Sequence, residues 1–271
     1  GIRGSGGLDG AIIGHMTRRQ DWSLEVVPSA TSTSDLARQA AAAGAPAYSA
    51  FLALEQTAGR GRRGRRWVSR HGGMYLSALL RPYIDRAQWF GFSFIAALAV
   101  FEAFQSWFTA PLLRANQPKM GLKWPNDIIV GGGKIAGILL EAWDDYLIIG
   151  SGVNIAPVEG DAKTGIPPVS LAQFLNDEQA PIPTPDMLAA AYLERLSIWY
   201  DVLVTSGFGP VRAAWLAHHA FADQGLQVQT GEMAVRGRFV DLGMDGALVL
   251  LDDSGKTHHI TTGDVQLFGD W

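Results

Sequence analysis

The chain of 271 residues contains no cysteine. Disulfide staples, thiolate metal sites and thiol nucleophiles are thereby excluded. Basic charge is also short: 22 Lys and Arg stand against 26 Asp and Glu, for a net charge of -4. A general nucleic-acid binder carries a basic excess, so this balance speaks against one and makes any local basic cluster informative. No apolar run reaches the roughly 18–20 residues of a membrane helix. The longest candidate, Phe90 to Phe104, is broken by Glu102 and reads as a buried helix. The N-terminus lacks the basic-then-apolar order of a signal peptide. Residues 1–15, Gly/Ser-spaced with His15 before Met16, read as an expression scar, and Met16 as the native start. These features are compatible with a cytoplasmic protein.

What is present suffices for one large core and a small second domain, since 48% of the residues are hydrophobic. Apolar patterning predicts strands at Trp22–Pro28, Tyr48–Glu55, Met74–Leu80, Leu122–Trp124, Ile128–Val130, Lys134–Trp143 and Tyr146–Val153. Helices are predicted from Ser32-Thr33-Ser34-Asp35 to Ala43, over Gln88–Phe108, Leu171–Leu175 and Pro185–Ser206, and at Val211–His219. From Ala222 onward only short alternating runs remain, separated by turns such as Asp245-Gly246 and Ser254-Gly255, which suggests a small all-β barrel. The expected division is a catalytic domain at 16–221 and a β module at 222–271.

Four segments carry chemistry. In Gln56-Thr57-Ala58-Gly59-Arg60-Gly61-Arg62-Arg63-Gly64-Arg65-Arg66-Trp67, five arginines fall within seven residues. Interspersed glycines let backbone approach an anion, and guanidinium forks onto phosphate or carboxylate. The plain alternative is a solvated, nucleic-acid-like basic tract; Trp67 argues against it, because a flanking indole can stack on or cover a ligand. In Lys123-Trp124-Pro125-Asn126-Asp127, the Asn and Asp suit nucleotide groups or Mg²⁺, or an ordinary Asx turn. Gly131-Gly132-Gly133-Lys134 opens an apolar run to Glu141, and a lysine entering such a run calls for an anionic partner. It is not a P-loop, whose Gly-x-x-x-x-Gly-Lys-Ser/Thr spacing is missing. Last, Gly150-Ser151-Gly152-Val153-Asn154 ends a strand on a polar side chain that lines a pocket or closes a turn. The pairs His218-His219 and His258-His259 lack metal spacing with a third ligand, so no metal site is expected there.

Taken in order, Ser-Thr-Ser-Asp, Gln-Thr-x-Gly-Arg-Gly-Arg-x-Gly-Arg-x-Trp, Lys-Trp-Pro-Asn-Asp, Gly-Lys-x-x-Gly-Ile-Leu-x-Glu and Gly-x-Asn resemble the catalytic domain of the biotin–protein ligases. The resemblance runs from Ser32 to Asn154 and, more weakly, into the C-terminal β module. It implies an α/β fold with a mixed sheet, followed by a small SH3-like barrel. It also implies a two-step reaction. Biotin carboxylate attacks the α-phosphate of ATP to give biotinyl-5′-AMP and pyrophosphate; a lysine of a biotin carboxyl carrier protein then displaces AMP.

Residue roles follow from the same resemblance. Ser32, Thr33, Ser34, Gln56 and Gly59 fall to the biotin pocket, with Arg60, Gly61 and Arg62 folding over biotin and its activated carboxyl and Lys134 contacting the biotin carboxyl oxygen or the bridging phosphate. Arg65, Trp67, Asn126, Asp127 and Asn154 fall to ATP or the adenylate, with Mg²⁺ near Asn126 and Asp127. The expected catalytic set is Lys134, Arg62, Asp127 and Lys123, with Lys134 foremost. The family often has Asn where Ser34 stands. A helix-turn-helix repressor domain does not fit between Met16 and Ser32, which points to the monofunctional type without a nucleic-acid or membrane role. Family members often pair as homodimers through the sheet. The alternatives are a lipoate–protein ligase or octanoyl transferase, and an RNA-binding module using the arginine loop.

Overall fold

Seven short apolar runs close into one mixed sheet. In the computed structural model, which describes residues 21–105, 107, 119–158, 166–175, 182–221 and 224–268, the strands are β1 (Ser23–Val27), β2 (Ser49–Ala53), β3 (Met74–Leu80), β4 (Met120–Lys123), β5 (Asp127–Val130), β6 (Gly133–Trp143) and β7 (Tyr146–Val153). The expected scar at 1–15 lies outside the described residues. The strand order is β1-β2-β3-β7-β6-β5-β4. Only β1 and β2 run parallel; the other neighbours are antiparallel. That one parallel pair needs a crossover, and helix α1 (Thr33–Ala42) supplies it.

Alternation along the strands sorts side chains onto two faces. Met74, Leu76, Ala78 and Leu80 of β3 join the large core with helices α2 (Gly91–Gln105), α3 (Pro185–Ser206) and α4 (Phe208–Ala217). Leu79 turns the other way, with Tyr146, Ile148 and Phe51, against Ala37 and Ala41 of α1. Small alanines let α1 lie close to the sheet. The helix starts at Ser32, whose hydroxyl accepts from the Ser34 N–H, and it ends before Gly44 at φ 79°. It covers only part of its face, and the uncovered part holds the site.

Two helix ends differ from the expected ones. Helix α2 begins at Gly91, three residues after Gln88, because Arg86–Gln88 form a separate 3₁₀ turn capped by Asp85; Phe108 lies outside the described residues. Helix α4 begins at Phe208, ahead of Val211, because Pro210 falls in its first turn, where a missing N–H costs nothing.

The C-terminal module is a five-stranded antiparallel sheet ordered β11-β10-β9-β8-β12. Its strands are β8 (Gly225–Thr230), β9 (Met233–Leu242), β10 (Leu248–Leu251), β11 (Thr257–Ile260) and β12 (Asp264–Phe268). Long β9 pairs with β8 through its first half and with β10 through its second, across a register shift. This bends the sheet in the manner of the expected SH3-like module. The module is packed against the first domain. Phe239 contacts Trp215, His219 and Phe221, and the buried Trp124 indole donates to the Gly246 carbonyl at 2.9 Å.

Candidate active site

On the α1 face, the middle strands leave a cavity of about 850 Å³. Its floor comes from a β-bulge and three glycines. Between β5 and β6 the register jumps from Ile128↔Ala136 to Ile129↔Lys134, so Ile135 is an extra residue. The bulge resets alternation: Ile135, Ala136 and Ile138 point into the core, while Lys134, Gly137 and Leu139 line the cavity. Gly150 and Gly152 of β7 line it as well, and Gly137 lies directly across from Gly152. The Trp67 ring rests on this floor. A Cβ on Gly152 would come within 2.6 Å of the indole, and one on Gly137 within 3.1 Å.

The roof is a small hairpin. Trp67 N–H donates to the Gly59 carbonyl at 2.9 Å and Gly61 N–H to the Arg65 carbonyl at 2.7 Å. Arg63 at φ 56° and Gly64 at φ 72° turn the chain at its tip. Among the described residues, each guanidinium except that of Arg66 has a carboxylate nearby. Arg60 lies 2.8 Å from Asp35 and 3.7 Å from Glu141. Arg62, Arg63 and Arg65 lie 3.9, 3.0 and 2.9 Å from Asp264 of β12. The hydrogen bond and charge of Arg60 hold the Asp35 carboxyl below its ordinary range. Burial lowers the Arg62 guanidinium against the opposing pull of Asp264 and Asp127. Arg62 also donates to Asn126 Oδ1 at 3.3 Å.

Under the roof, Asp127 stands between two ammonium groups, with Lys134 Nζ 2.7 Å from Oδ1 and Lys123 Nζ 3.5 Å from Oδ2. Burial alone would push the Asp127 carboxyl up, but Lys134 and Lys123 hold it below the usual carboxylate range. Burial pushes the Lys123 ammonium down against the attraction of Asp127. Lys134 Nζ is also 5.2 Å from the centre of the Trp67 ring, a cation–π distance. The three charged groups, mostly buried, sum to one positive charge at the cavity wall, which suits an anion.

At the other end the lining is polar and neutral. Gln56 Oε1 accepts from Thr33 N–H at 2.8 Å, and Gln56 Nε2 donates to Ser69 Oγ at 2.8 Å. The hydroxyls of Thr33 and Ser34 meet that of fully buried Ser77 at 2.8 and 3.3 Å. Burial pushes the Tyr75 phenol up to about 12, so it lines the cavity as a neutral group that donates to the Arg70 carbonyl.

Of the residues expected from sequence, Ser32, Thr33, Ser34, Gln56, Arg60, Gly61, Arg62, Arg65, Trp67, Lys123, Asn126, Asp127, Lys134 and Asn154 all line this one cavity. Gly59 does not. It is packed in the neck of the hairpin, where a Cβ would sit 2.5 Å from the Trp67 carbonyl and 2.6 Å from Ser69 Oγ. Asn154 reaches the cavity, but its Nδ2 donates to the Val169 carbonyl at 3.0 Å, tying down the segment that pairs with Lys134. Sequence reading missed Asp264, Ser77, and Ile166 to Pro168 on the cavity rim. Five arginines in an acidic chain signal that carboxylates must come to meet them, but not from where.

The chain is similar to known proteins over most of its length. A family model described as the biotin/lipoate A/B protein ligase family matches residues 26–154, and one described as the biotin protein ligase C-terminal domain matches 224–267. A biotin–[acetyl-CoA-carboxylase] ligase of Paracoccus denitrificans is 37% identical over 213 residues, spanning 76% of this chain and 85% of that one. One from Mycobacterium tuberculosis is 32% identical over 249 residues, spanning 89% and 88%. Among solved structures, biotin protein ligase from Aquifex aeolicus in complex with biotin and ATP has the same fold, with a TM-score of 0.76 at 24% identity over 91% of this chain and 98% of that one. The Leishmania major enzyme in complex with biotinyl-5-AMP gives 0.64 at 26% identity over 89% and 99%. The chain belongs to the biotin/lipoate A/B protein ligase family, among its biotin–[acetyl-CoA-carboxylase] ligases.

Proposed function

We propose that this cavity activates biotin with ATP and passes the biotinyl group to a lysine of a carboxylase's biotin carboxyl carrier protein. The observation that carries this reading is the Lys123–Asp127–Lys134 cluster under a roof of arginines, beside a neutral hydroxyl and amide pocket. In the first step a carboxylate oxygen bonds to the α-phosphorus and the α–β bridging P–O bond breaks, its electron pair leaving with pyrophosphate. Anion then meets anion, and fixed cations aimed at the reacting oxygens lower that barrier. Lys134 is placed for the carboxylate and α-phosphate, Arg62 and Arg65 for the phosphate side. Thr33, Ser34 and Gln56 offer donors and acceptors suited to the ureido ring, and the Gly137–Gly152 floor with Trp67 offers a flat apolar slot.

In the second step the neutral ε-amine of the carrier lysine bonds to the acyl carbon. The acyl C–O bond breaks, and AMP departs with the pair. The amine's proton passes to the departing AMP phosphate or to solvent. Asp127 lies in the cavity to orient that amine by a hydrogen bond, while its two lysine partners keep it ionised. A closed roof excludes water from the mixed anhydride.

The donor set does not make a resident Mg²⁺ site. Asp127 is bracketed by two ammonium groups, and the Asn126 amide is engaged with Arg62 and the Ile138 carbonyl. Among the described residues no group of three or more His, Asp or Glu gathers to hold a metal. The cation is better written as part of MgATP, held by the phosphates.

The biotin ligase names of the relatives favour biotin over lipoate. An RNA-binding use of the arginines fits poorly, because Arg60, Arg62, Arg63 and Arg65 are turned onto carboxylates of the site. The same reading places the domain boundary between Phe221 and β8 and the protein in the cytoplasm, with copies pairing through the sheet. No helix among the described residues is long and apolar enough to cross a membrane. Calorimetric titration of biotin and of lipoate, each with and without MgATP, tests the reading. Heat with biotin and pyrophosphate release with ATP are expected; a response to lipoate alone would move the assignment to the lipoyl branch.

A further inference from the structure

The second sheet gives the cavity one acidic side chain, Asp264, at the start of β12. It lies about two hundred residues along the chain from the arginine hairpin, yet its two carboxylate oxygens take Arg63 and Arg65 at 3.0 and 2.9 Å and draw Arg62 to 3.9 Å. Arg62 adds a contact to the neighbouring Gly263 carbonyl at 3.4 Å. One carboxylate against three guanidinium groups leaves two positive charges uncompensated on the hairpin, whose Arg62 and Arg65 line the cavity. Arg63, Arg65 and Asp264 are each more than a third exposed, so every pair is weak and screened by salt. The contact is strong enough to bias where the hairpin rests and weak enough to yield to an anion of higher charge.

We propose that Asp264 is a positioning residue, a carboxylate of the second domain that parks the arginine hairpin over the cavity until nucleotide phosphates take the same guanidinium groups. The inference rests on the reading of the cavity as an ATP site. It gives the small β module a defined part in the reaction: holding the roof near its working place at low cost, so that phosphate binding exchanges one anion for another. It also explains why Arg62, Arg63 and Arg65 converge on one side chain of the second sheet. They already have an anion, and the substrate has to displace it.

The test uses the full chain, Asp264→Asn and Asp264→Glu. Limited trypsin digestion without nucleotide reads the exposure of the arginine hairpin, and steady-state kinetics with MgATP reads the competition. Asp264→Asn should be cut at Arg62–Arg66 roughly three- to tenfold faster than wild type, and Asp264→Glu should be restored toward wild type. Raising NaCl should speed cutting of wild type more than that of Asp264→Asn, which keeps only the Arg60 pairs to Asp35 and Glu141; the wild-type salt series stands even if the Asn variant folds poorly. The KM for ATP should fall several-fold in Asp264→Asn, with kcat within about twofold. Unchanged cutting in Asp264→Asn, salt-independent cutting of wild type, or a KM for ATP that rises would overturn the proposal. Digestion needs no turnover, so faster cutting of the Asn variant with no ATP binding by either protein would sink the ligase reading and the displacement step while leaving the parking contact in place.

Discussion

Floor and roof of the cavity are built on different physics. The floor is a hydrogen-bonded ladder of β3, β6 and β7, backed by a core of fully buried side chains and smoothed by glycines where Trp67 has to lie. The roof is the hairpin from Gly59 to Trp67, held at its flanks by partly exposed ion pairs to Asp35, Glu141 and Asp264. A ladder resists displacement in any buffer, whereas exposed pairs loosen with salt and exchange partners readily. Precision belongs to the floor, where Lys134 and Asp127 are set. On the proposed function, closure belongs to the roof, with an anion as the key.

The sharpest way to break that division is to remove charge from the floor. Lys134→Gln should leave the fold intact and lower the rate of biotin-dependent pyrophosphate release by about 10²- to 10³-fold; a loss under tenfold would shift the catalytic burden to the roof. Next in size is a steric change. Gly152→Val puts side-chain atoms where the Trp67 indole lies, the first of them within 2.6 Å, and should lower kcat/KM about 100-fold by displacing Trp67 and the ligand slot. Near-normal kinetics in that variant would show that the floor is not the rigid half.

Smaller effects belong to the roof. Arg60→Gln removes the pairs to Asp35 and Glu141 and should raise the KM for biotin several-fold, with less change in KM for ATP; an equal rise in both would mean the hairpin moves as one piece. The smallest effect lies behind the floor. His219 Nδ1 accepts from the Phe221 N–H, a bond that requires the neutral ring, and burial followed by the charge of Lys119 lowers its pKa. Neutral His219 therefore stabilises the fold above its unfolded pKa of about 6.5, and that contribution is lost as pH falls through the lowered folded value. Between pH 7.5 and 5.5 the melting temperature should drop by roughly 2–4 °C, less in His219→Gln. The Arg60–Asp35 pair should survive this range, because Asp35 is held below its ordinary pKa.

Much of the floor was legible in the sequence because it is local. The order of the Lys-Trp-Pro-Asn-Asp and Gly-Lys segments places Asp127 and Lys134 on paired strands seven residues apart, and their juxtaposition needs only one antiparallel turn. The bulge at Ile135 was not legible; nothing in Lys-Ile-Ala-Gly-Ile says where alternation resets, and without it Lys134 would face the core. Helix α4 starts at Phe208, ahead of the expected Val211, because a first turn tolerates Pro210. Gly59 looked like the arginine-flanking glycines around it, but close packing in the hairpin neck is what requires it. Asp264 was invisible because its meaning depends on a contact between two domains, and an aspartate opening a strand after Thr-Gly is otherwise an ordinary turn residue.

The most direct test of the two-part account is hydrogen exchange of the whole chain, alone and with biotin plus MgATP. The amides of 59–67 should exchange fast in the free protein and become strongly protected in the bound one, while those of β3, β6 and β7 stay protected in both. Protection of the hairpin that is already complete without ligand, or a ligand effect spread equally over the three strands, would contradict it.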